Sequence, residues 1–103
     1  MKKQKNLAIE AMKKNASAAE AMLKQLANAK RLLVLCNLVS GEKTVGELAE
    51  IVDLSQSALS QHLAKMRAAG LVTAHKRGLE VYYRISSLEA QALLSTLYMI
   101  YCK

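Results

Sequence analysis

The 103-residue sequence contains no proline and has only 4 glycines and 2 cysteines. The absence of proline and the scarcity of glycine favour long helices joined by few loops. No apolar run reaches the ~18 residues of a membrane span, and the basic start MKKQKN leads into an amphipathic pattern instead of a signal core. We therefore expect a cytoplasmic protein with no membrane partner, in which Cys36 and Cys102 are reduced by default.

Basic and apolar residues, by contrast, are abundant. The net charge is +7, the pI is near 9.6 and 52% of the residues are hydrophobic. A small basic protein most often binds nucleic acid or an anionic surface. A chain of this length predicts one domain, residues 1–103, whose poorly buried core would gain from burial shared with a second copy.

Helical spacing of apolar residues marks the two ends of the chain. Residues 5–26 predict an amphipathic helix rich in Ala and Met, whose small side chains permit close approach of a partner helix. Residues 28–39 predict a second helix that is apolar on nearly every side. A last amphipathic helix is predicted to begin at Ser86, which would form a capping box with Glu89.

The middle of the chain predicts a pair of short, capped helices. Thr44 and Glu47 form a capping box at the start of residues 44–52. Ser55 is the predicted N-cap of the next helix, and Gly70 supplies its left-handed stop. Two helices joined by so tight a turn are typical of a helix-turn-helix.

The pattern changes to that of a β-hairpin immediately after this pair. Residues 71–85 carry β-branched and aromatic residues on both sides of a basic tip, Lys76-Arg77-Gly78. The predicted order is ααααββα. The fold class is therefore mainly α with a β-hairpin wing, a winged helix-turn-helix.

The second helix of the pair has outward side chains that are short, polar and nearly uncharged, where a solvated helix normally carries Glu and Lys. Gln can pair bidentately with adenine and Ser can serve either partner, so this surface suits the major groove of double-stranded DNA. Basic side chains at the end of the helix and on the wing would meet phosphates. A plain solvated helix with a decorative hairpin is the alternative interpretation. The predicted DNA-binding residues are Ser55, Gln56, Ser57, Ser60, Gln61, His62, Lys65, Arg67, His75, Lys76, Arg77 and Arg84.

The same segments, RLLVL, VGELA and SQSALSQHLAKMRAAGLV, resemble the ArsR/SmtB family of bacterial winged-helix repressors. The resemblance covers about residues 23–102. It implies a homodimer that is joined through the first and last helices and binds a palindromic operator. Twofold symmetry would place the half-sites about one helical turn, ~34 Å, apart.

The residues that metal-sensing members of this family use are missing from the sequence. Arsenic and lead sensors carry a C-x-C motif where this chain reads VGELAE, and zinc sensors use acid and His pairs on the last helix, which here has only Glu89 and no His. We therefore predict no metal site and no cofactor. The sequence also lacks a plausible Cys–His pair, an acid dyad and a phosphate-cradling glycine loop, so we predict no enzymatic activity.

The two cysteines allow two interpretations. Buried Cys often behaves as a small hydrophobe, so Cys36 and Cys102 could be packing residues. The chain also resembles a dithiol subgroup of the family, the BigR-, SqrR- and HlyU-like regulators, which carry cysteines at the matching positions. That resemblance implies redox sensing: persulfides or other reactive sulfur species oxidise the pair to a disulfide or polysulfide bridge, and the operator is released. Lys103 adjoins Cys102 and would favour its thiolate, whereas the partial negative charge at the helix C-terminus would disfavour it, so either cysteine could react first.

Other functions remain open at this point. The chain could be an HlyU-like regulator or anti-silencer that binds DNA without sensing thiol oxidation. It could also be a winged helix that binds protein and not DNA, although such a helix should expose an apolar recognition face.

Overall fold

The computed structural model describes the backbone of residues 2–102 and the side chains of residues 7–102; Lys103 lies outside the described residues. Five helices and three strands follow one another along the chain. They are α1 (Lys2–Leu26), α2 (Ala29–Leu38), β1 (Lys43–Thr44), α3 (Val45–Val52), α4 (Gln56–Ala68), β2 (Val72–Arg77), β3 (Glu80–Ile85) and α5 (Leu88–Tyr101). The winged helix-turn-helix architecture is confirmed.

The predicted caps of the central helices are confirmed in atomic detail. The Thr44 hydroxyl accepts a hydrogen bond from the Glu47 backbone N–H at 3.2 Å, and the Glu47 carboxylate accepts one from the Thr44 N–H at 2.8 Å. The Ser55 hydroxyl accepts from the Ala58 N–H at 3.1 Å. Gly70 has φ of +78°, which favours glycine and ends α4 as expected.

Two predicted features need correction. The sheet has three antiparallel strands in the order β1-β3-β2, because Lys43 and Thr44 pair with Tyr83 and Tyr82; a two-residue strand has no periodicity of its own to reveal it. The predicted cap of α5 at Ser86 is wrong by one residue, since Ser87 accepts from the Ala90 N–H. The Ser86 hydroxyl instead donates to the Gly70 carbonyl and ties the end of β3 to the end of α4.

One apolar core joins all five helices to the base of the wing. No buried polar or charged residue is found among the described side chains. At the start of α2, the Arg31 guanidinium donates to the Gln25 side-chain oxygen at 2.9 Å, which fixes the turn between α1 and α2. The core residues are Leu26, Val34, Leu35, Leu38, Leu48, Val52, Leu59, Leu63, Met66, Leu71, Val72, Ala90 and Leu94.

The terminal helices expose many large apolar side chains, which we call the apolar surface. Every described side chain from residue 7 to residue 21 of α1 is exposed, and the molecule is 57 Å long but only 29 × 21 Å across. None of the described helices is both long and apolar enough to cross a membrane. The apolar surface comprises Leu7, Ile9, Met12 and Leu23 on α1, with Leu88, Leu93, Tyr98, Met99, Ile100 and Tyr101 on α5.

Candidate nucleic-acid interface and thiol cavity

Helix α4 is fixed on the body of the protein by one fully buried face. Leu59, Leu63 and Met66 are each 0% exposed, at the i, i+4 and i+7 positions that share one side of a helix. The opposite side consequently faces solvent over the first two turns. We call the exposed residues Gln56, Ser57, Ser60 and Gln61 the recognition face.

The remaining predicted residues of α4 differ in their surroundings. Ser55 is exposed, but its hydroxyl oxygen already accepts the capping hydrogen bond, which leaves its O–H and a second lone pair for DNA. His62 is half-buried, whereas Lys65 and Arg67 are exposed in the last turn. The positive charges of Lys65 and Arg67 also interact favourably with the negative end of the helix dipole. The structure thus brings most of the predicted residues of α4 to one accessible region.

The basic residues of the wing are divided between the two faces of the sheet. Strand register places three cross-strand pairs on the outer face of the sheet: Arg77 with Glu80, His75 with Tyr82, and Thr73 with Arg84. Lys76 pairs with Val81 and points to the opposite face, because successive side chains alternate. The predicted basic tip is therefore not one continuous patch.

The turn of the wing lies one residue beyond the predicted tip. Arg77 and Glu80 are paired, so Gly78 and Leu79 form a two-residue loop. Gly78 has φ of +62°, as the first central residue of a type II′ turn requires. Leu79 is 96% exposed, so the most prominent side chain of the wing is apolar and not basic.

A carboxylate that sequence reasoning missed engages two of the predicted DNA-binding residues. Glu42 Oε2 lies 2.9 Å from His75 Nε2, and Glu42 Oε1 pairs with an Arg77 guanidinium nitrogen. The Arg77 guanidinium also lies 4.4 Å from the centre of the Tyr82 ring, within the range of a cation–π contact. The Arg77 guanidinium and the His75 imidazole are thus both contacted by one carboxylate and one aromatic ring.

Cys36 and Cys102 line the same cavity, between α2 and α5. The cavity has a volume of about 600 Å³ and is mostly apolar. That volume and lining are typical of a small-molecule pocket. Its other lining residues are Ala29, Leu32, Leu33, Asn37, Leu97, Tyr98 and Tyr101.

The two thiols have unequal surroundings. Both are free, but Cys36 is half-buried against the core and Cys102 is exposed at the end of α5. Burial raises the pKa of the Cys36 thiol, and the nearby Cys102 raises it further. Cys36 is therefore less ionised at neutral pH than an ordinary cysteine. The thiolate is the reactive form, so this asymmetry affects the chemistry of the pair.

Metal-binding side chains are not clustered in the part of the chain that the structure describes. Within residues 7–102, no three His, Cys, Asp or Glu side chains lie close enough together to hold a metal ion. His62 lies on α4 and His75 on the wing, where its described acidic neighbour is Glu42. These surroundings offer contacts to protein or phosphate and no clustered ligand set.

Comparisons with known proteins agree with this geometry. The family model for the bacterial regulatory proteins of the arsR family matches residues 28–74. The transcriptional activator HlyU of Vibrio cholerae is 45% identical over 95 residues, which are 92% of this chain and 88% of HlyU. A biofilm growth-associated repressor of Agrobacterium fabrum is 39% identical over 92 residues, or 89% of this chain and 79% of the repressor.

A solved structure of similar fold extends the match to nearly the whole chain. The structure of reduced HlyU from Vibrio cholerae N16961 superimposes with a TM-score of 0.86 at 46% identity, covering 91% of this chain and 99% of HlyU. The shared helix-turn-helix segment and this near full-length similarity lead to one conclusion: the chain belongs to the ArsR family of bacterial regulatory proteins.

Proposed function

We propose that this protein is a homodimeric, DNA-binding transcriptional repressor whose recognition face lies in the major groove of a palindromic operator. The observation that carries the proposal is the recognition face itself. Gln56, Ser57, Ser60 and Gln61 are all exposed on a helix that its buried side holds rigidly. Rigid support matters because base edges are read only by side chains held in register.

The apolar surface supports the homodimeric part of the proposal. Met12 on α1 and Met99 on α5 are 62% and 70% exposed, and patches of this kind usually mark protein interfaces. A second copy of the chain would cover them and supply the burial that one small domain lacks. Twofold symmetry would then set the separation of the two recognition faces. The proposed location is the cytoplasm, because that is where bacterial DNA, the proposed target, lies.

Binding-site selection from a random duplex library tests this function. The expected result is an enriched inverted repeat with half-sites about one helical turn apart. Sedimentation of the selected duplex with the protein should give two chains per duplex. Recovery of no enriched sequence would contradict the DNA-reading role, and one chain per duplex would contradict the dimer.

The thiol cavity supports the regulatory part of the proposal. Reactive sulfur species enter the cavity and bridge Cys36 to Cys102, which ties α2 to the end of α5. Because α5 carries much of the apolar surface, the bridge shifts the dimer between two arrangements of its recognition faces. A coupling of about 1–3 kcal/mol would weaken operator binding roughly 5–150-fold.

The chemistry needs only an organic persulfide, RSSH, as oxidant. A cysteine thiolate attacks the outer sulfur, the S–S bond of RSSH breaks, and RS⁻ leaves as a Cys–S–SH forms. The second thiolate attacks the inner sulfur of that group and expels HS⁻, leaving a disulfide. In total, two thiols and one RSSH give one disulfide, one RSH and one H₂S. If both cysteines are first persulfidated, the same attack gives a trisulfide and releases one H₂S.

Mass spectrometry beside a DNA-binding titration tests the switch. Treatment with a persulfide donor should join Cys36 to Cys102 and weaken operator binding, and Cys36→Ser should bind the operator but no longer respond. Both cysteines carry the response, so Cys102→Ser should behave in the same way. Full operator affinity in a protein shown to be bridged would contradict thiol sensing and leave DNA binding intact.

A second candidate function is an HlyU-like regulator or anti-silencer that does not sense oxidation. The observation that favours it is the packing of Cys36 against the core, where a thiol can serve as a small apolar group. The Vibrio cholerae relative is named a transcriptional activator. A promoter fusion in a strain with and without the protein distinguishes repression from activation.

A further inference from the structure

The outer face of the wing carries opposite charges. Arg77, His75 and Arg84 share this face with Glu80, by strand register. Glu42 joins them because β1 pairs Thr44 with Tyr82, and alternation along the chain returns residue 42 to the same side. Strand β1 therefore brings Glu42 onto the outer face of the wing, although Glu42 precedes His75 by 33 positions in the sequence.

Glu42 uses both carboxylate oxygens on this face. One lies 2.9 Å from His75 Nε2, and the other pairs with the Arg77 guanidinium. Tyr82 contacts the same two side chains: its ring centre is 6.2 Å from that of His75 and 4.4 Å from the Arg77 guanidinium carbon. Glu42 and Tyr82 thus both contact His75 and Arg77.

The cluster remains open to an incoming anion. The side chains of Arg77, His75 and Glu42 are 56%, 37% and 30% exposed. A backbone phosphate that approaches Arg77 meets a guanidinium whose charge is already opposed by a carboxylate. The phosphate also meets that carboxylate as a like charge, which weakens the contact.

We propose that Glu42 is an internal counterion of the wing, which competes with DNA phosphate for Arg77 and so lowers sequence-independent DNA affinity. This inference rests on the proposed DNA-binding function. Phosphate contacts supply most of the affinity for random DNA and carry no sequence information. An acid that weakens them lowers random and operator binding by about the same factor, because both complexes share the phosphate contacts and their free energies add to those of the base contacts. Glu42 thus sets the overall affinity for DNA and its salt dependence, while discrimination between sequences is left to the recognition face.

The test is a double-mutant cycle on a fluorescent mixed-sequence duplex of about 30 base pairs, long enough for two half-sites. Glu42→Gln keeps the shape of the side chain but removes its charge and one of its two acceptor oxygens. We expect it to bind the duplex about 3- to 10-fold more tightly at low salt and to steepen the slope of log K against log salt by about 0.9, as one added phosphate contact requires. Arg77→Ala should cost less than about 2-fold in the native background and about 10-fold in the Glu42→Gln background.

Two further variants control for net charge. Glu20→Gln removes the same charge from α1, far from the wing, and Glu80→Gln removes it from the position opposite Arg77 in the hairpin. Neither should reproduce the steeper salt slope. Unfolding temperatures of all variants show whether the wing remains folded.

Each outcome has a distinct meaning. Additive effects of Glu42→Gln and Arg77→Ala would overturn the competition between Glu42 and phosphate. Weaker binding by Glu42→Gln would do the same, since it would mean that Glu42 orients Arg77 toward the DNA. Failure of the native protein to bind any duplex would instead overturn the proposed function, and the role of Glu42 with it.

Discussion

The recognition face of α4 and the apolar surface of α1 and α5 are both exposed, yet they are built from opposite kinds of residue. The recognition face has short polar side chains with no formal charge, and the apolar surface has Leu, Ile, Met and Tyr. An ordinary solvated helix would carry charged residues in both places. Each departure indicates a different partner: base edges need hydrogen-bonding groups, whereas a second protein surface needs shape and apolar area.

The largest effect is expected from a charge in the apolar surface. Met12→Asp should convert a dimer to a monomer, because an interface would bury the new carboxylate without a partner. Operator affinity should fall more than about 100-fold, since each half-site then binds alone. Analytical ultracentrifugation and operator titration measure the two effects. Leu79→Asp is the matched control, because Leu79 is even more exposed than Met12 but lies on the wing tip. The Leu79→Asp protein should keep the mass of a dimer.

Some features of the protein are predictable from its sequence and others are not. The helices and their caps at Thr44 and Ser55 were predictable, because helical periodicity and capping are local signals. The fold and the exposed recognition face followed from them. Strand β1 and the role of Glu42 were not predictable, since they arise only when residues far apart in sequence pair in the sheet.

Small errors at the ends of elements have a similar cause. Ser86 and Ser87 are equally good caps by residue type, and the choice was decided by a hydrogen bond from Ser86 to the distant Gly70 carbonyl. The wing tip was misplaced because the Lys76-Arg77-Gly78 sequence suggested one basic turn, whereas register puts Arg77 in the strand. Neighbouring elements settled both positions.

Removal of one side chain from the recognition face should lower operator affinity less than loss of the dimer does. The size of this effect should depend on the DNA sequence. Gln61→Ala should weaken operator binding about 5- to 150-fold, the value of one bidentate base contact, and should leave binding to a scrambled duplex nearly unchanged. Titrations of the two duplexes at one salt concentration measure the ratio. Equal losses on both duplexes would show that Gln61 does not read a base, which would remove the distinction between this face and an ordinary polar surface.

Cys36 lies on the core side of the cavity, and Cys102 lies beside the apolar surface. The reactivities of the two thiols should differ accordingly. Cys102 should react with iodoacetamide about 10-fold faster than Cys36 at neutral pH, because Cys102 is exposed and the pKa of Cys36 is raised by burial and by Cys102. The raised pKa reduces the thiolate fraction, so the Cys36 rate should continue to increase at a pH where an ordinary thiol has levelled off. Peptide mapping of timed reactions gives both rates. A faster Cys36 would indicate that a partner copy covers Cys102 in solution.

The smallest effect tests whether two neighbouring serines of the DNA-reading unit have different roles. Ser55→Ala should lower the free energy of unfolding by about 1 kcal/mol, because the Ser55 hydroxyl caps α4 through the Ala58 N–H. Ser57→Ala, two residues away, should be neutral in stability, since Ser57 is exposed and its loss should appear only in operator binding. Urea denaturation of both variants measures the difference. Equal stability of the two would mean that the cap contributes nothing, and the rigid support of the recognition face would then depend on Leu59, Leu63 and Met66 alone.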